Sequence, residues 1–158
     1  MSLWPLIFAF IAGVAVPLQT AINSRLRLDL ASSATASTLI SFGTGTLLLL
    51  VVAALQPGGL RLAASAFQQS PWKLLGGPIG VCFVFTMTLL APRIGMASLL
   101  ALVIAGQVIS SIGFDHFGLL GLEQKSISWE KALGALLMIV GVLMVNWSQI
   151  SSQFARQG

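Results

Sequence analysis

Apolar side chains along this chain are grouped into blocks of about 20 residues, and charged residues fall almost only between the blocks. A helix needs a block of that length to cross the hydrocarbon core of a bilayer, which is about 30 Å thick. The pattern predicts an all-α integral membrane protein with five transmembrane helices. The predicted spans cover residues 3–23, 33–55, 72–91, 96–118 and 129–147.

The five spans are expected to form a single domain over residues 1–150, followed by a short polar tail over residues 151–158. Between the second and third spans, Leu60, Ala63, Ala64 and Phe67 follow a helical spacing, which predicts a short amphipathic helix at the membrane interface. The turn at residues 92–95 is very short, so the third and fourth spans should be antiparallel neighbours. The N-terminus lacks a basic region, which favours a retained first span over a signal peptide.

The composition agrees with the prediction of a membrane protein and argues against several other classes of protein. The chain is 56% apolar and only 8% charged, so a soluble domain of its length could not bury its apolar surface. Its eight Lys and Arg residues are scattered singly, which is unlike a nucleic-acid surface, and the expected partner is the lipid bilayer. The single cysteine, Cys82, excludes an internal disulfide and is expected to be a buried structural thiol. No cofactor or metal site is predicted.

Polar side chains inside the predicted spans are the candidates for a substrate or ion path. Asp115 is the strongest, because a carboxylate at the centre of a bilayer costs about 3 kcal/mol on insertion scales and needs a reason to be there. Gln107 lies near the middle of the same span, and His116 follows Asp115. Asp115 and His116 could instead cap the helix at headgroup level. Gln19 and Asn23 share one face of the first span, either as hydrogen-bonding contacts between helices or as part of the path.

Small residues at regular spacing predict surfaces for close helix packing. Ser37, Ser41 and Gly45 are four residues apart on the second span, and Gly134 and Gly141 are seven residues apart on the fifth. Small side chains allow helix backbones to approach closely in lipid. We expect these residues to form helix-packing or dimer interfaces.

Basic residues are balanced between the two sides of the predicted membrane domain. The N-terminal side carries Arg61, Lys73, Lys125 and Lys131, and the opposite side carries Arg25, Arg27, Arg93 and Arg156. Orientation is set by an excess of Lys and Arg in the short cytoplasmic loops, and here neither side has an excess. The balance predicts that the chain inserts in both orientations and forms an antiparallel dimer, either a homodimer or a heterodimer with a paralogue of opposite bias.

Several motifs together resemble the YdcZ-like five-span family of the drug/metabolite transporter superfamily. They lie at residues 13–26, 41–45, 76–77, 91–95, 106–107, 115–121 and 134–141. The resemblance implies a helical transporter built from two units in opposite orientations in a bacterial inner membrane. Related four-span multidrug exporters carry a glutamate in their first span, where this chain offers only Gln19 and Asn23, so their exchange mechanism is not simply transferred.

Three functions fit the sequence. The first is a secondary transporter that exports a small metabolite or drug-like compound as an antiparallel dimer with alternating access. The alternative is a non-transporting membrane subunit that stabilises a larger membrane complex. The third is a membrane enzyme with Asp115 and His116 as an acid/base pair, but adjacent residues on a helix do not face each other, so no enzyme is expected.

Overall fold

The computed structural model describes residues 3–148 and Ser151, and all regular structure within them is helical. The chain divides into two compact units, Met1–Arg93 and Ile94–Gly158. The first unit contains helices α1 (Trp4–Asp29), α2 (Ala34–Leu55), α3 (Gly59–Ala64) and nearly all of α4 (Gly76–Ile94), with 3₁₀ turns at Ser65–Gln68 and Pro71–Leu75. The second unit contains α5 (Met96–Phe117), a 3₁₀ turn at Leu119–Gly121 and α6 (Trp129–Val145).

Helix α1 continues well beyond the end of the predicted first span at residue 23. It begins with Pro5 in its first turn, a position that needs no backbone donor, and it ends at Asp29. Arg25 and Asp29 are one helical turn apart and form an exposed ion pair of 3.8 Å between Nε and Oδ2. The charged residues therefore mark where the helix can leave the lipid, and they do not end it.

Helix α2 packs against α1 and begins at a capped N-terminus, where the Ser33 side chain accepts a hydrogen bond of 3.1 Å from the backbone N–H of Ala36. After α2 the chain turns back at Gly59, where an added Cβ would collide with the carbonyl oxygen of Ala53. The segment predicted to be a short amphipathic helix is helical, as α3 and the 3₁₀ turn at Ser65–Gln68. Its position at the membrane interface stays a prediction.

Helices α5 and α6 form a packed pair joined by a loop that folds back on the end of α5. Gly118 closes α5 with a φ of 59°, and a Cβ there would also press against Gln124 at 3.3 Å. The loop then satisfies two carbonyl groups of the last turn. The backbone N–H of Lys125 donates to the Asp115 carbonyl at 2.7 Å, and Nε2 of Gln124 donates to the His116 carbonyl at 2.9 Å.

Burial in the described residues is the reverse of that in a water-soluble domain. Large aliphatic and aromatic side chains face outward, for example Leu55 and Phe67 at 81% and 84% exposure. The buried side chains are mostly small or polar, as expected where lipid is the solvent; the buried polar residues are Thr20, Asn23, Ser37, Thr38, Thr88, Ser98 and Asn146. The prediction for Cys82 was wrong, because its thiol lies on an exposed face of α4.

Four helical segments in the described ranges are long and apolar enough to cross a membrane: Trp4–Asp29, Ala34–Leu55, Pro71–Ile94 and Met96–Phe117. Helix α6 is shorter, with 17 residues, which is at the lower limit for a spanning helix of about 17–25 residues. The fifth span therefore stays a prediction. The single domain and the polar tail also stay predictions. Most of the predicted tail lies outside the described residues.

Candidate functional site

An open groove between α5 and α6 contains the strongest sequence candidate, Asp115. The groove encloses about 330 Å³, and we name it the α5–α6 groove. Its lining residues are Val108, Ser111, Ile112, Asp115, Lys131, Gly134, Ala135 and Met138. The Lys131 Nζ atom lies 4.0 Å from Oδ2 of Asp115, and the two side chains are 48% and 43% exposed. The groove therefore presents one cation and one anion, both half-open to a ligand.

Each of these two ions lies at the helix end that disfavours its charge. Asp115 is in the last turn of α5, where the helix dipole is negative, and Lys131 is in the first turn of α6, where the dipole is positive. Such a mismatch costs about 0.3–1 kcal/mol for each ion, whereas an exposed ion pair stabilises a protein by about 0–1 kcal/mol. The hairpin also places each ion beside the end of the other helix that favours its charge, so the dipoles of the two helices act on each ion in opposite directions. The net contribution of the pair to stability is therefore small.

A second groove, between α1 and α2, contains neutral polar residues. We name it the α1–α2 groove; it encloses about 240 Å³ and is lined by Gln19, Ser41, Phe42, Gly45, Thr46 and Leu49. Gln19 is exposed there. Gln19, which was predicted for the substrate path, therefore lines the same groove as Ser41 and Gly45, which were predicted for helix packing.

Asn23 lies beside the α1–α2 groove as a buried contact between the two helices. Its Nδ2 atom donates a hydrogen bond to the Ser41 hydroxyl at 3.3 Å, and its backbone carbonyl oxygen accepts one of 2.7 Å from the Ser37 hydroxyl. Ser37 is fully buried and Asn23 is 3% exposed. This geometry fits the hydrogen-bonding alternative for Asn23, in which a polar side chain joins neighbouring helices in lipid. A role for Asn23 in a substrate path stays a prediction.

Gln107, His116 and Gly141 lie outside both grooves, whereas Gly134 lines the α5–α6 groove. Gln107 is exposed on α5, and His116 is half-buried, with its ring 4.9 Å from that of Phe117 and its Nδ1 atom buried without a hydrogen-bond partner. Gly141 lies on α6, where an added Cβ would meet nothing within 4 Å; the same is true of Gly134. Whether the polar residues of the first and fourth spans face one shared cavity stays a prediction.

Lys131 is the residue of the α5–α6 groove that sequence reasoning missed as a site residue. It was assigned only to the flank of the fifth span, as one of the cations that set orientation. The signal was present, because two consecutive antiparallel helices place the end of the first beside the start of the second. An acid in the last turn of α5 and a base in the first turn of α6 therefore predict a pair across the hairpin.

Comparison with known proteins gives one match. A family model described as "Putative inner membrane exporter, YdcZ" matches residues 4–144, a range that includes both grooves. No curated protein and no solved structure matched the chain.

Proposed function

Because the chain belongs to the YdcZ family, described as inner membrane exporters, we propose that it is a secondary transporter that exports a small metabolite or drug-like compound. It is an inner-membrane protein, with several apolar helices long enough to span the bilayer. The proposal makes it a transporter and not an enzyme. The wider drug/metabolite transporter superfamily, suggested by the sequence motifs, is part of the proposal.

The observation that carries this function is the ion pair in the α5–α6 groove. Ionisable side chains within membrane helices are rare, and they mark substrate and ion paths when they face a cavity. Asp115 and Lys131 both line a groove of about 330 Å³ that is open to a ligand. The sequence contains no nucleotide-binding loop of the G-x-x-x-x-G-K-[ST] type, so the energy in this proposal comes from an ion gradient or from the substrate's own gradient.

The working unit in this proposal is an antiparallel dimer that alternates its access between the two sides of the membrane. Its support is the equal division of Lys and Arg between the two predicted sides and the open space around Gly134 and Gly141. The partner is a second copy of the chain or a paralogue of opposite bias.

Transport is tested with purified protein in proteoliposomes. A thermal-stability screen first identifies compounds that bind the native state, since such ligands stabilise it by an amount that rises with the logarithm of their concentration once this exceeds Kd. Wild-type protein should then move at least one of these compounds, and Asp115→Asn should remain folded but move it at least about tenfold more slowly. Binding without movement of any compound would contradict transport. Isolation of the chain within a larger complex would then favour the non-transporting subunit.

The dimer is tested through membrane orientation. Gln68→Lys with Gln69→Lys adds two positive charges to the connection between α3 and α4, and C-terminal reporters show which side the tail occupies. Wild type should report from both sides, and the lysine variant should report mostly from one. The charge-neutral control is Gln68→Asn with Gln69→Asn, which should behave as wild type. A wild-type protein with one orientation that the lysines do not change would contradict the antiparallel dimer.

A further inference from the structure

The α5–α6 groove holds one positive and one negative side chain among its described lining residues. The 4.0 Å between Nζ of Lys131 and Oδ2 of Asp115 is longer than a charge-assisted hydrogen bond, which is about 2.7–2.9 Å. Each side chain also keeps about half of its surface exposed. The two ions attract each other without closing into a tight hydrogen bond, so both remain open to a ligand of complementary charge.

The pair of charges discriminates against ligands with only one charge. A monovalent cation could bind Asp115 but would also lie beside Lys131, and a monovalent anion that bound Lys131 would lie beside Asp115. Like charges placed side by side repel each other, which disfavours such a ligand. A ligand with an ammonium and a carboxylate on one carbon atom avoids both repulsions, because its charges can lie antiparallel to the Asp115–Lys131 pair.

The other lining residues of the groove indicate the polarity of the ligand's side chain. Apart from the ion pair, the lining is almost entirely apolar, formed by Val108, Ile112, Gly134, Ala135 and Met138. The one other polar residue is Ser111, and its hydroxyl donates to the carbonyl oxygen of Val108 at 2.9 Å, so this donor is already used. A ligand side chain placed along this lining would find apolar surface and no free hydroxyl donor.

We propose that the α5–α6 groove is the site for a zwitterionic substrate, an α-amino acid with an apolar side chain. Its ammonium binds Asp115, its carboxylate binds Lys131, and its side chain lies along the apolar lining. This inference names the substrate class of the exporter proposed above and therefore rests on that function. Lys131 becomes a substrate-binding residue in addition to Asp115.

The test compares L-leucine with two analogues of the same shape that each lack one charge. Leucinamide lacks the carboxylate, and 4-methylpentanoate lacks the ammonium. Each is titrated against the purified full-length protein, with the unfolding temperature as the measured quantity. L-leucine should raise it at concentrations at least about tenfold lower than either analogue. Equal stabilisation by L-leucine and either analogue would overturn the proposal, and this comparison needs no variant.

Single-charge variants give a second measurement that a purely structural ion pair would not produce. Asp115→Asn removes the repulsion toward 4-methylpentanoate and should shift the preference to that anion. Lys131→Met should shift the preference to leucinamide. The matched control is Lys125→Met, in the α5–α6 loop, where the Lys125 side chain pairs with Glu123 at 3.8 Å outside the groove. The Lys125→Met variant should keep the wild-type preference for L-leucine over the two analogues. The same preference in both groove variants would overturn the proposal.

Transport separates this inference from the function on which it rests. Movement of L-leucine across proteoliposomes by wild type supports both. Export of a compound with a single net charge, together with no stabilisation by L-leucine, would overturn the zwitterion site and leave the exporter intact. Stabilisation by L-leucine without movement of any compound would support the site and contradict export.

Discussion

The two grooves of this chain show two different uses of polar residues in a membrane protein. In the α1–α2 groove the polar side chains are neutral, and the buried amide of Asn23 bonds the Ser41 hydroxyl on the neighbouring helix. In the α5–α6 groove, Asp115 and Lys131 are charged, half-exposed and 4.0 Å apart. Asn23 and Ser41 therefore join the two helices by a hydrogen bond. The two ions are only loosely paired, and each keeps about half of its side chain open to a ligand.

This difference separates residues that stabilise the helices from residues that bind a ligand. A hydrogen bond between helices in lipid contributes about 0.6 kcal/mol on average, so replacing Asn23 should mainly change stability. An exposed ion pair contributes about 0–1 kcal/mol, so replacing Asp115 or Lys131 should change stability little. If the ions bind substrate, their replacement should instead change transport.

The largest effect is expected for Lys131→Met, which leaves Asp115 without its nearby cation. Transport of the native substrate should fall at least about tenfold, equivalent to 1.4 kcal/mol, while the unfolding free energy changes by less than about 1 kcal/mol. Initial rates in proteoliposomes, corrected for folded protein, measure this loss. Lys125→Met is the control with the same change in charge. Equal losses in the two variants would indicate a general charge effect and no special role for the groove.

A smaller effect is expected for Gly141→Leu on α6. An added Cβ meets nothing within 4 Å in the single chain, so the protomer should fold normally. In the proposed dimer the larger side chain would separate the helices, and the dimer Kd should rise about tenfold. Single-molecule photobleaching in membranes counts the copies in each complex. Gly43→Leu on α2 is the matched control, since a Cβ there also meets open space; identical dimer populations in both variants would argue against an α6 interface.

The smallest effect is expected for Asn23→Ala, which removes the hydrogen bond to Ser41. Its coupling to Ser41→Ala in a double-mutant cycle should be about 0.6 kcal/mol, measured by reversible unfolding in mixed detergent and SDS. Transport corrected for folded protein should stay within a few-fold of wild type. A loss of transport at unchanged stability would place Asn23 in the substrate path and remove the contrast between the two grooves.

The positions of most helices could be predicted from hydropathy alone, because lipid requires continuous apolar blocks. Helix α2 covers Ala34–Leu55 against a prediction of 33–55, and α5 covers Met96–Phe117 against 96–118. The end of α1 could not be predicted in this way. Hydropathy reports where a helix leaves the lipid, whereas the helix itself continues to Asp29 through residues that favour helix in water.

The candidate site was predicted less completely. The cost of placing a carboxylate in lipid identified Asp115. Predicting its partner also requires the direction in which each side chain points, and hydropathy contains no such information. Lys131 was therefore missed, and Gln107, placed by its polarity alone, lies outside both grooves. Cys82 was expected to be buried because its neighbours are apolar, yet in a membrane protein an apolar face commonly faces outward.

Exchanging the two ions tests most directly whether they are placed for function. In the variant that combines Asp115→Lys with Lys131→Asp the pair is kept, but its two charges change places. We predict an unfolding free energy within about 1 kcal/mol of the wild-type value, because an exposed ion pair contributes about 0–1 kcal/mol. Transport should fall at least about tenfold, because a bound zwitterion must reverse and move its side chain off the apolar lining. An exchanged protein that transports as well as wild type would show that the pair is only structural.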